Sequence, residues 1–68
     1  MYEVDARGLS CPEPLMMTDQ ALKNHPGEPV KVYVTEAYSK TNVEKFARSK
    51  GKSVTVKEVG QEFELVIE

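Results

Sequence analysis

Hydrophobic positions recur with two different periods along this chain. Tyr2-Glu3-Val4-Asp5 alternates apolar and polar side chains, which predicts a short first strand. Val30-Lys31-Val32-Tyr33-Val34-Thr35 repeats that period more strongly, with three valines on one face. Ser53 to Lys57, carrying Val54 and Val56, reads as a third strand. Val59-Gly60-Gln61 then turns into a fourth, where Phe63, Leu65 and Ile67 alternate with Glu62, Glu64, Val66 and Glu68. Between the first two strands the period lengthens. From Pro12 to about Lys23, Pro14, Leu15, Met17, Thr18, Ala21 and Leu22 fall on one half of a helical wheel. Met16, Asp19, Gln20 and Lys23 fall on the other half. Asn24-His25-Pro26-Gly27-Glu28-Pro29 ends that helix, and His25 reads as a loop residue.

A second helix is expected from a cap at Ser39 or Thr41, with Thr41-Asn42-Val43-Glu44 in the form of a capping box. Val43, Phe46, Ala47 and the stem of Lys50 line its inner face, and Gly51 suits the residue just past its end. The predicted order is β-α-β-α-β-β. Each strand has one apolar face, so both helices should lie on the same side of a four-stranded mixed sheet. The fold class is an α/β (α+β) two-layer sandwich. A right-handed crossover should make the first two strands parallel, and the last two form a hairpin.

Length and composition narrow the picture. Sixty-eight residues, 40% hydrophobic and 29% charged, fit one globular domain over residues 1–68. A chain this short hides only about 60% of the surface its unfolded form exposes. No apolar run spans a bilayer and no signal-peptide pattern opens the chain, so no membrane partner and a cytoplasmic location are expected. A net charge of −2 argues against a nucleic-acid partner held by bulk electrostatics. With one cysteine and one histidine, neither an internal disulfide nor a cysteine-built metal site is expected, and no cofactor motif is present.

That single cysteine sits in Gly8-Leu9-Ser10-Cys11-Pro12-Glu13-Pro14, at the entrance to the first helix. In one register Cys11 is the N-cap and Pro12 is N1, where a missing N–H costs nothing. In the other, Ser10 caps the helix and Glu13 closes a capping box. The first is preferred, because a residue before proline is pushed out of helical geometry. Both place the sulfur at the positive end of the helix macrodipole, a position that favours the nucleophilic thiolate. Arg7 is close in sequence and would add to the effect, while Glu13 opposes it. The competing reading is a small buried hydrophobe.

Asp5-x-x-Gly8-x-x-Cys11-Pro12-x-Pro14, at the end of a first strand and the start of a first helix, resembles the TusA/SirA-like proteins, small sulfur carriers with a Cys-Pro-x-Pro motif. The resemblance runs through almost the whole chain. It implies that Cys11 accepts a sulfane sulfur as a persulfide and passes it on, as a sulfurtransferase-like carrier working with partner enzymes. Pro12 and Pro14 would shape the motif, Gly8 would be structural, and Asp5 would anchor the turn. The implied partners are a cysteine desulfurase or rhodanese-like donor and a downstream acceptor protein, in tRNA thiolation or in sulfur or selenium metabolism. Members acting on tRNA commonly have Asp-Pro after the second strand. Here Thr35-Glu36-Ala37-Tyr38 follows, and the segments from Glu36 to Val43 and through Phe46, Ala47 and Gly51 look more like the YedF-like branch.

A lone thiol fits a relay, since one sulfur both accepts and donates, whereas a dithiol oxidoreductase needs a second cysteine. Arg7, Glu13 and Met16 are candidate partner contacts around it. The alternative is a non-catalytic interaction or regulatory module, RNA-binding through Lys40, Lys45, Arg48, Lys50 and Lys52 of the second helix. Tyr33 and Val66 are expected to form an apolar spot on the open sheet face.

Overall fold

The computed structural model describes all residues from Met1 to Glu68. Its elements are β1 (Tyr2–Asp5), α1 (Glu13–Asn24), β2 (Val30–Val34), α2 (Ala37–Ser49), β3 (Val54–Val59) and β4 (Glu62–Ile67). One sheet of order β1-β2-β4-β3 holds the strands, with β1 parallel to β2 and β4 antiparallel to both β2 and β3. The predicted order, the parallel first pair and the closing hairpin are all present.

The period-two pattern becomes rows of side chains across the sheet. Val4 pairs with Val32, Val32 with Leu65 and Leu65 with Val56, so one apolar row crosses all four strands. Val30 pairs with Ile67, and Ile67 with Val54, one row further along. Val30, Val32, Val34, Leu65 and Ile67 are fully buried beneath the helices. Pro14, Thr18 and Ala21 of α1 close over this face, as do Ser39, Val43 and Ala47 of α2. Thr18 satisfies its buried hydroxyl by donating 2.8 Å to the Pro14 carbonyl. Ser39 Oγ is the buried side-chain polar atom left without a partner.

The opposite face is charged and internally paired. Lys31 Nζ lies 3.1 Å from Glu64, which holds the lysine's proton more tightly than usual. Tyr33 donates its hydroxyl to Glu3, and its ring lies under the cations of Arg7 and Lys31, each 5.5 Å from the centroid. The expected apolar spot at Tyr33 and Val66 is therefore roofed by charge on the Tyr33 side.

Both helices start elsewhere than their sequence grammar suggests. Pro12, not Cys11 or Ser10, is the N-cap of α1, and no side chain caps it. The Glu13 amide bonds Ser10 carbonyl in a tight turn, and the Met16 amide bonds Pro12 carbonyl as the first helical link. Pro12 and Pro14 thus fall at the cap and the second helical position, where backbone donors have no intrahelical acceptor. Two prolines fit there without loss of a hydrogen bond. α2 begins at Ala37 after an extended Glu36, ahead of the expected Ser39 or Thr41 cap. Lys40 already bonds back to the Glu36 carbonyl, and burying Ser39 one turn before Val43 continues the inner face into that first turn. Glu44 is then mid-helix and pairs with Arg48 instead of closing a capping box. Gly51 takes φ 79° just past the helix, the left-handed conformation expected of it. β3 begins at Val54 and runs on to Val59, because β4 supplies a pairing partner along that whole length.

Candidate functional site

The loop from β1 to α1 leaves the sheet beside the carboxyl end of β2 and is tied there at several points. Ala6 is buried and bonds the Tyr33 carbonyl at 2.9 Å. The Asp5 carboxylate accepts from the Arg7 amide at 3.2 Å and from Arg7 Nε and Nη2 at 2.9 Å each. Those side-chain bonds, and then the backbone one, hold the Asp5 carboxyl down at about 2, and the same pairing raises the affinity of Arg7 for its proton. Gly8 follows at φ 79°, and its amide donates 3.1 Å to Thr35 Oγ1 just beyond β2. Leu9 then packs against the core and its amide closes onto the Ala6 carbonyl.

Cys11 comes next, a free thiol of intermediate exposure, joined to Pro12 by a cis peptide bond. It lies one residue before the α1 N-cap, at the positive end of the helix macrodipole. Its sulfur accepts one hydrogen bond, from Asn42 Nδ2 of α2 at 3.3 Å. Pro12 and Glu13 are exposed, whereas Pro14 is buried and fastens the first helical turn to the core. Met16, one turn beyond Pro12, is 63% exposed, and Tyr38, one turn before Asn42, is 68% exposed.

The structure thus gathers Asp5, Gly8, Cys11, Pro12, Glu13, Pro14 and Met16 along one loop and the helical turn after it. Of these residues it is Asp5 that holds Arg7. Its guanidinium binds Asp5 and Glu62 and covers Tyr33, on the charged face of the sheet. Two contributors escaped the sequence reading, Thr35 and Asn42. Thr35 looked like a strand terminus and Asn42 like the interior of a capping box, and nothing local marks either as a partner of the loop.

Surface grooves run along α1 and at its C-terminal end, the two larger ones about 370 and 440 Å³, and Cys11 lines none of them. No group of three His, Cys, Asp or Glu side chains is placed to hold a metal ion. No helix is long and apolar enough to cross a membrane. Three of the cations on and just after α2 are drawn onto their own surroundings. Arg48 binds Glu44 and the Val54 carbonyl, Lys40 lies 5.3 Å from the Phe63 ring centroid and Lys50 lies 5.4 Å from that of Phe46.

Fold and site together define a small two-layer α+β protein that presents one thiol at a strand-to-helix junction, outside any cavity. The chain belongs to the family described as sulfurtransferase TusA, which matches residues 2–68. That family carries sulfur in relays between proteins. Among solved structures, the chain is similar to the SirA-like protein of Desulfitobacterium hafniense, with a TM-score of 0.91 and 27% identity, covering 98% of this chain and 95% of that one. No curated protein matches it.

Proposed function

We propose that Cys11 is the residue on which the relay sulfur travels. Its thiolate attacks the outer sulfur of a persulfide on a cysteine desulfurase or a rhodanese-like donor. A Cys11–S–S bond forms, the donor's own S–S bond breaks, and the donor cysteine leaves as a thiolate. Sulfur is transferred without net oxidation or reduction. The loaded carrier then gives that sulfur to an acceptor protein by the same exchange.

The observation that carries this reading is the setting of the thiol. It is partly exposed, lies outside every groove and touches a single polar side chain, so the remaining catalytic groups must come from a visiting active site. Pro12, Pro14, Gly8 and the Asp5–Arg7 pair hold the loop, while Glu13 and the exposed Met16 offer contacts to a partner. A reducing cytoplasm keeps such a thiol free, and the 68 residues would act there as one module. The Glu36-Ala37 and Asn42-Val43 segments favour a YedF-like place within the family.

The test is intact-mass analysis after incubation with a cysteine desulfurase and cysteine, and separately with a persulfide-loaded rhodanese-like donor. The protein should gain one sulfur and Cys11→Ser none. Uptake by Cys11→Ser, or no uptake from either kind of donor, overturns the proposal.

A further inference from the structure

Resting on that reading, we infer that Asn42 is an unloading device that stabilises the empty carrier and so drives the sulfur onward. Asn42 Nδ2 donates to Cys11 Sγ at 3.3 Å from a different helix, and both side chains are partly buried, so the bond is partly shielded from water. An amide N–H bonds a charged acceptor about twice as strongly as a neutral one, and neutral sulfur is a weak acceptor. During the cycle Sγ takes two forms that matter here. As the leaving group of delivery it is a thiolate and holds the negative charge itself. In the loaded carrier it is the inner, bridging sulfur of the persulfide, and any charge sits on the outer atom, about 2 Å further along the S–S bond. Asn42 is aimed at the inner atom, so it favours the empty state over the loaded one.

Delivery makes use of that preference. In Cys11–Sγ–SH + R–S⁻ → Cys11–Sγ⁻ + R–S–SH, the electron pair of the Sγ–S bond passes to Sγ. The outer sulfur keeps its proton, and no oxidant or reductant takes part. Sγ is the leaving group, and Asn42 meets the charge that develops on it. Exchange of this kind goes faster when the departing thiolate is better stabilised. A residue that only ties α2 to the loop would not discriminate between the two forms of the sulfur.

The experiment equilibrates the protein, at a pH alkaline enough to ionise free thiols, with buffers of glutathione and glutathione persulfide in graded ratios and reads the loaded fraction by intact mass. Asn42→Leu, which keeps the volume and removes the donor, should load at about one-tenth of the persulfide ratio that half-loads the wild type. Its release of sulfur to excess glutathione should slow by a similar factor. Asn42→Asp, which keeps the shape and adds a repelling charge, should move in the same direction and further. Thermal melts of each variant separate this from unfolding. A wild type that loads, with folded variants whose half-loading ratios coincide with its own, overturns this inference alone. A wild type that takes up no sulfur overturns the carrier reading and this inference with it.

Discussion

A methyl group placed on Gly8 tests how the loop before Cys11 is held. Gly8 sits at φ 79°, where L-residues are disfavoured by about 1–2 kcal/mol, yet an added Cβ would meet no atom within 4 Å. The whole cost of Gly8→Ala is therefore torsional, and the amide that bonds Thr35 is retained. Alanine also restricts the unfolded chain, which returns about 0.4–1 kcal/mol. The net loss should be about 1 kcal/mol. A D-alanine at the same position, accessible by chemical synthesis of so short a chain, prefers positive φ. Where its methyl also meets open space, it should stabilise by about 0.5–1 kcal/mol through restriction of the unfolded state. Urea unfolding resolves the pair, because at a slope of about 1 kcal/mol per molar a loss of that size shifts the midpoint by about 1 M. Equal losses for the two enantiomers would show that the site needs empty space and not a left-handed backbone. An L-alanine variant as stable as the wild type would refute the torsional argument outright.

Three other outcomes follow from the packing and the charges. Leu65→Ala, at a fully buried site between Val32 and Val56 on a central strand, should lose about 3 kcal/mol in the same urea assay. Ser39→Ala removes a buried hydroxyl without a partner and improves helix propensity, so it should gain about 1 kcal/mol; a loss of that size would reveal a bond to the hydroxyl. The Asp5 carboxyl should titrate by NMR at about 2, not at its ordinary 3.8, and return towards 3.8 in Arg7→Ala. Because folding lowers its proton affinity, the stabilisation is complete above the ordinary value and is lost as pH falls from about 4 through about 2. A wild-type midpoint near 3.8 would contradict the Asp5–Arg7 geometry.

The sheet and its buried face were legible because burial imposes period two on Val30, Val32 and Val34, and on Leu65 and Ile67. Helix starts were less so. Capping grammar assumes that a side chain completes the first turn, and neither Pro12 nor Glu36 supplies one. Ser39 looked like a cap because it is a serine, but it lies inside α2, facing the core. The position of Cys11 beside a helix entrance was readable from the prolines around it, to within one residue of register. What surrounds the sulfur was not. Asn42 reaches it across 31 residues of sequence and Thr35 reaches Gly8 across 27, so both contacts exist only through the packing of α2 and β2 against the loop. Arg7 misled in the opposite way, for nearness along the chain put it beside the thiol while Asp5 and Glu62 draw it to the other face.

A single-turnover chase tests the central claim most directly. The protein is loaded with radiolabelled sulfur from cysteine by a desulfurase, freed of donor, and mixed with excess acceptor thiol. The label should leave completely and return the protein to its unloaded mass, with Cys11→Ser never labelled at all. Label that stays on the protein, or that enters Cys11→Ser as readily as the wild type, would contradict a carrier working through this one thiol.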